Sequence, residues 1–290
     1  MTNKKRALLI RAIAFMMVGG LSMVLMQASV KLLSDALHPF VITLFRALLV
    51  FIIILPILLW NGLGTVKTSS VKLQVIRGGV GGVCMLCMFT GFSLVSLPEA
   101  TSLLFTVPIF ATILSVMFLS ERVGIKRWGA ILLGFAGILV ITRPDVSLNL
   151  GHLLLLSAAI LWSISIVIAK KLTEKDTIIS ITFWQAMGCV PLALIASLFV
   201  WETPTLTQLL YLLGIAGLGT LGHALVYASL KLGKVSFLLP LDYIRIIWST
   251  LLGFLLFGSL PTLYLYAGTF LIISATAFIS YREIQKNKEI

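Results

Sequence analysis

The sequence predicts an all-α integral membrane protein with ten transmembrane helices, arranged as two inverted five-helix repeats. Three observations carry that expectation. Hydrophobic residues make up 59% of the 290 residues and charged residues 11%, and mean hydropathy is +1.10, so lipid rather than water is the solvent for most of the chain. Apolar, charge-free runs long enough to cross about 30 Å of hydrocarbon recur along the whole length. The basic residues, which bring the net charge to +12, fall in short clusters between those runs, as topology signals do, rather than along one face as a nucleic-acid surface requires. Three cysteines give no disulfide framework.

The first span, centred near residue 20, follows Lys4, Lys5, Arg6 and Arg11. Its apolar run is too long for a signal peptide and lacks a convincing small-residue cleavage site. The second is centred near residue 50 and includes Arg46; the third, fourth and fifth lie near residues 86, 109 and 134. The sixth, seventh and eighth are centred near 160, 189 and 218 in three further charge-free runs. The run 246–280 is too long for one helix and is broken at Gly258-Ser-Leu-Pro261-Thr, a turn composition. Its first part joins the apolar residues from Val235 onward as a ninth span containing Asp242 and Arg245, and its second part is the tenth, near residue 271.

Of the 22 Lys and Arg, all but Lys31, Arg143 and the in-span Arg46 and Arg245 lie on one alternating set of segments. Positive residues stay on the cytoplasmic side, so both termini are expected there, in a multi-pass protein of the bacterial inner membrane with an even number of spans.

The chain also repeats weakly at a spacing of about 138 residues. Lys31 followed by Leu44-Phe45-Arg46 resembles Lys170 followed by Phe183-Trp184-Gln185, and Ser120-Glu121 corresponds in place to Gly258-Ser259. The expected halves are residues 1–145 and 146–290. With five spans each, the second half enters the membrane from the opposite side, and two opposed copies can rock around a midplane site.

These features resemble the drug/metabolite transporter superfamily, in particular its bacterial EamA-type branch. The residues that carry the resemblance are Leu44-Phe45-Arg46, Phe105-Thr-Val-Pro108-Ile-Phe110 through Phe118-Leu-Ser-Glu121, Trp128-Gly129 with Gly134 and Gly137, and Phe257-Gly258 with Pro261-Thr262. Within that branch, Phe45-Arg46 and Asp242-Tyr-Ile-Arg245 are similar to uptake carriers for S-adenosylmethionine. The second half departs from the pattern at Ser259, where a glutamate commonly stands. The resemblance implies a secondary transporter of a small metabolite, amino-acid-like or S-adenosylmethionine-like, that needs no cofactor.

An ionisable side chain inside a span faces a partner or a water-filled cavity. Arg46, Asp242 and Arg245 stand out, the last two within reach of each other on one helical face. On the functional reading the arginines bind an anionic group and Asp242 holds an amine, a cation or a coupling proton. On the plainer one they form a structural ion pair. A net positive site suits an anionic or zwitterionic solute. Gln185, at the repeat position of Arg46, needs a partner in hydrocarbon. Phe105, Trp184, Tyr243 and Trp248 are candidates to stack on a planar solute, as are Trp162 and Tyr227. His223 is a packing histidine or a second coupling candidate beside Asp242.

Other motifs are set aside. Gly217-Leu-Gly219-Thr-Leu-Gly222 has dinucleotide spacing but no preceding strand, and with Gly78, Gly79, Gly81 and Gly82 it reads as close helix packing, within one chain or in a homodimer. Cys84-Met-Leu-Cys87 lacks the electropositive, accessible setting of a redox pair. Glu121 with Arg122, Lys126 and Arg127 reads as a cytoplasmic loop with satisfied charges rather than a gate. No nucleotide-binding loop supports an ATP-driven pump. An exporter of amino acids or drugs from the same superfamily is the first alternative. A lipid-modifying membrane enzyme is the second, and it would need clustered acids or histidines that the sequence scatters.

Overall fold

The computed structural model describes residues 3–104, 106–121, 123–142 and 149–258, with isolated positions between 263 and 278. Among them there is no strand. The helices are α1 (Asn3–Ser34), α2 (Pro39–Asn61), α3 (Val71–Leu94), α4 (Leu97–Leu104), α5 (Val107–Leu119), α6 (Ile125–Thr142), α7 (Leu150–Leu172), α8 (Ile178–Leu198), α9 (Leu206–Leu232), α10 (Val235–Leu238) and α11 (Arg245–Phe257), with a 3-10 segment at Leu239–Ile244 between the last two. Counting Val235–Phe257 as one, 7 segments among the described residues are long and apolar enough to span a membrane; Val107–Leu119 and Trp128–Gly137 are shorter apolar helices.

Local chemistry fixes the ends. Ser70 and Thr177 cap α3 and α8 by accepting from Leu73 and Ser180 amides at 3.4 and 3.0 Å. Asn149 with His152 and Thr205 with Gln208 form reciprocal capping boxes at α7 and α9. Pro56 and Pro191 sit inside α2 and α8.

The fourth and ninth spans differ from their expected continuous form. The fourth is interrupted between α4 and α5, and the ninth passes through the 3-10 segment before α11. Pro108 stands in the first turn of α5 and Pro240 in the first turn of the 3-10 segment, where a residue without an N–H starts a segment but does not continue one. The two downstream pieces match. Each has 13 residues and stops on a left-handed residue, Ser120 with φ 54° after α5 and Gly258 with φ 65° after α11.

Small residues bring helices to near contact. A Cβ on Gly188 of α8 would lie 2.5 Å from the Gly78 Cα of α3, and one on Gly222 of α9 3.2 Å from the Gly19 carbonyl of α1. The glycine faces at Gly78 and Gly222 therefore pack within the chain. Gly79 and Gly217 meet nothing, so the packing expectation does not extend to them.

Segments assigned by charge to one side meet one another. Thr177 Oγ1 donates to the Thr65 carbonyl at 2.7 Å, and Asp176 accepts from the Ser69 amide at 2.7 Å and Gln74 Nε2 at 2.9 Å, as well as from Thr68. On the other set, Gln208 donates to the Ala36 carbonyl at 3.2 Å.

Candidate functional site

Seven helices and the 3-10 segment converge on a small cavity. Its walls include Met23, Met26 and Gln27 of α1, Met85 and Met88 of α3, Trp162 of α7, His223 of α9, and Asp242 with Arg245 where the 3-10 segment runs into α11. The volume is about 40 Å³, room for a few water molecules and far below the several hundred Å³ of a metabolite pocket. As it stands the site has no room for a metabolite.

The broken ninth span positions the acid and the base. Ending the helix at Leu238 and resuming it at Arg245 leaves a tight turn of backbone in which Asp242 and Arg245 face the same way. Arg245 Nη1 donates to Asp242 Oδ2 at 2.7 Å. Asp242 Oδ1 and Arg245 Nε are buried without a partner. Gly20 of α1 makes room for the pair, since a Cβ there would lie 2.9 Å from Arg245 Cγ and 3.0 Å from Asp242 Oδ1. A carboxylate with one oxygen engaged and the other without a partner has the valence to take an ammonium, another cation or a proton.

Arg46 enters from α2 behind the opposite wall. Its Nη1 donates to the Met85 sulfur at 2.9 Å, its Nη2 lies 3.3 Å from His223 Nδ1, and its Nε is buried without a partner. A thioether is a weak acceptor for a guanidinium, so Arg46 keeps most of its capacity to bind an oxyanion. Gly219 admits it; a Cβ there would lie 3.0 Å from Arg46 Nη2. His223 Nδ1 is 2.6 Å from the Gly219 carbonyl, and its ring packs edge-on against Trp162 at 4.9 Å. The shorter contact makes Nδ1 the protonated nitrogen, donating to that carbonyl, and leaves Nε2 as an acceptor.

A third buried arginine was missing from the expected site. Arg77 of α3, fully enclosed, donates to the Ile181 carbonyl at 2.9 Å, to Gln185 Oε1 and to the Tyr227 hydroxyl, and its guanidinium lies 4.8 Å from the Tyr227 ring centroid. The Tyr227 hydroxyl also donates to Gln185 Oε1 at 2.7 Å. The charge count had grouped Arg77 with flanking Lys67 and Lys72. The signal that separates it is Ser70, whose cap starts α3 early enough to carry Arg77 inside the bundle. Arg77 thus joins Arg46, Asp242 and Arg245 as a charged side chain inside the bundle, so that the described spanning segments bury three arginines beside the partly buried Asp242.

The structure separates the other candidates. Gln185 joins the Arg77 cluster. Trp184 is turned toward the α2–α3 linker, its Nε1 donating to the Val66 carbonyl at 3.0 Å. Tyr243 is buried against α6, where Gly134 leaves space for its ring. Trp248 lies on α11 with a buried Nε1 that has no partner. Of the aromatic candidates in the described residues, Trp162 is the one that lines the cavity; Phe105 lies outside them.

A bundle of apolar spanning helices closed around opposed charged groups is the architecture of a multi-pass membrane transporter. The chain belongs to the EamA-like transporter family, whose profile matches residues 10–143 and again 149–281. It is 30% identical over 254 residues to the S-adenosylmethionine uptake transporter of Rickettsia bellii, covering 87% of each chain. Against the riboflavin transporter of Rhizobium johnstonii it is 30% identical over 244 residues, 82% of this chain and 80% of that one. A solved crystal structure superimposes with a TM-score of 0.72 at 20% identity, covering 92% of this chain and 98% of the other, which establishes the likeness of fold.

Proposed function

We propose that this protein is a secondary transporter that carries a small anionic or zwitterionic metabolite across the bacterial inner membrane by alternating access. Its two five-helix halves, residues 1–145 and 146–290, enter the membrane with opposite orientation and both termini are cytoplasmic. The matching pieces α5 and α11, with their equivalent left-handed ends, support that pairing, and so does the way segments assigned to one side meet. The present form is the occluded intermediate between outward-open and inward-open states.

One observation carries the reading of the solute. A half-engaged carboxylate, Asp242, lines the cavity, and an arginine without a carboxylate, Arg46, stands just behind its wall against Met85 and His223. A metabolite with both an amine and a carboxylate satisfies both, its anionic group on Arg46 and Arg245 and its cationic group on Asp242 Oδ1. The names of the relatives support an S-adenosylmethionine-like solute, for which Trp162 offers a stacking face and the four methionines a soft, polarisable wall. Export remains the alternative direction, and Asp242 and His223 are the groups through which a proton would be coupled.

The test is thermal stabilisation and proteoliposome uptake across S-adenosylmethionine, riboflavin, amino acids, nucleotides and dicarboxylates. A binding solute raises the unfolding midpoint by mass action. Stabilisation and saturable uptake of one zwitterionic solute, both lost in Asp242→Asn, is the expected result. Uptake that survives Asp242→Asn and Arg46→Gln unchanged would place the site elsewhere.

A further inference from the structure

Among the described residues, the amide oxygen of Gln27 on α1 has no hydrogen-bond partner. The residue is 2% exposed and lines the cavity beside Met23 and Met26. Other polar side chains of the same helix are satisfied within it: Ser22 and Ser29 donate to the Val18 and Leu25 carbonyls at 3.0 and 2.9 Å. Methionine already stands at four places on the cavity walls, Met23, Met26, Met85 and Met88. It would fill the place of Gln27 without an amide to desolvate, so packing alone does not call for glutamine here.

The place of Gln27 on α1 relates it to the charged pair. Gly20, whose missing side chain makes room for Asp242 and Arg245, stands seven residues earlier, two helical turns and about 10 Å away on the same face. The pair and the amide thus mark two levels of one wall. Trp162 of α7 adds an indole ring to the same cavity. The methionines occupy the space among them, and their unbranched, freely rotating side chains can vacate it without a change of backbone.

We propose that Gln27 is the specificity residue of the site: its carboxamide reads the edge of a planar heteroaromatic ring that carries a donor beside an acceptor, as an aminopurine or a pyrimidinedione does. A carboxamide presents an acceptor and an N–H donor side by side in one plane, so it pairs with such an edge through two parallel hydrogen bonds. Trp162 stacks on the face of the ring, which leaves the edge for a neighbouring wall, and Asp242 with Arg245 holds a charged head. The assignment rests on the carrier reading above and narrows its solute to a charged head joined to a polar ring, as distinct from a free amino acid.

The test is calorimetric binding to the full-length protein in detergent, with two pairs of probes that differ by one edge donor. The first pair is S-adenosylmethionine and its analogue whose purine lacks the amino group; the second is riboflavin and riboflavin methylated on its imide nitrogen. The native protein is expected to prefer the intact member of the pair it binds by about tenfold, or about 1.4 kcal/mol. Gln27→Met, which keeps the volume and removes the amide, should bind both members alike and more weakly, with an unchanged or raised unfolding midpoint. Gln27→Glu, which has acceptors and no donor, should also lose the preference and decides the matter if Gln27→Met does not fold. A merely structural Gln27 would lower affinity for both members and keep their ratio. That result, a native protein that does not distinguish the members, or one that binds neither ring would overturn the assignment. Binding is read without a membrane, so a Gln27-dependent preference without proteoliposome uptake would sink the carrier and keep the subsite, whereas uptake of a ringless solute with no ring bound would do the reverse.

Discussion

Arg46 Nη2 lies 3.3 Å from His223 Nδ1, while that same nitrogen is 2.6 Å from the Gly219 carbonyl. One ring nitrogen cannot donate to the carbonyl and accept from the guanidinium together, and the shorter contact takes precedence. Arg46 is thus packed against the imidazole rather than bonded to it, and the groups around it are placeholders that a better acceptor replaces. An oxyanion supplied by a solute is such an acceptor.

Arg46→Gln is accordingly expected to keep the fold and lose the solute. It removes a buried charge held by a thioether, so the unfolding midpoint should stay or rise, whereas a charged hydrogen bond worth about 1.5 to 3 kcal/mol disappears from the bound state. Uptake and solute-induced stabilisation should fall by at least about tenfold. Equal uptake in the variant and the native protein would remove Arg46 from the site.

The Asp242–Arg245 pair separates stability from transport. Removing one partner strands the other charge and is expected to cost about 3 to 5 kcal/mol, seen as a lowered midpoint for Asp242→Asn. Asp242→Asn combined with Arg245→Gln should recover much of that loss, because neither charge is left alone. Transport should stay absent in the double variant. Recovery of transport along with stability would make the pair purely structural.

Gly188→Ala tests the contact between α3 and α8. The added Cβ would meet the Gly78 backbone at 2.5 Å, and backbone cannot turn aside as a side chain does, so a loss of about 1 to 3 kcal/mol is expected. Gly79→Ala, where nothing lies within 4 Å, should be neutral or slightly stabilising. The midpoints of the two purified variants supply the comparison.

Asp176 gives the expected pH dependence. Burial pushes its carboxyl up, but hydrogen bonds from Thr68, Ser69 and Gln74 outweigh this and bring it below the ordinary 3.8. A depressed folded value stabilises the protein above the unfolded value and loses that effect as pH falls through the folded one. The contribution is therefore constant near neutrality and declines only below about pH 4. Asp176→Asn, whose single NH2 replaces one accepting oxygen and so faces either the Ser69 amide or the Thr68 and Gln74 donors, should cost about 2 kcal/mol at pH 7 and flatten the acid limb of a midpoint-against-pH curve.

Membrane residence, helical class and family were legible in the sequence because they depend on quantities that add along the chain. Hydropathy summed over each apolar run predicts a spanning segment wherever it falls, and Asp242 and Arg245 had to find partners because hydrocarbon offers none. The breaks in the fourth and ninth spans were marked by Pro108 and Pro240, yet hydropathy averages straight across them. What only the tertiary structure decided is which side chains share a space. Arg77 looked like a flank charge until the cap at Ser70 and the packing of α3 on α8 placed it beside Gln185 and Tyr227. Trp184 and Tyr243 carry the residue types of a binding site, but their helices turn them to the α2–α3 linker and to Gly134 of α6. The orientation of a side chain around a helix is set by the neighbours that helix meets, and those neighbours come from parts of the chain more than a hundred residues away, as with Arg77 and Tyr227, 150 residues apart.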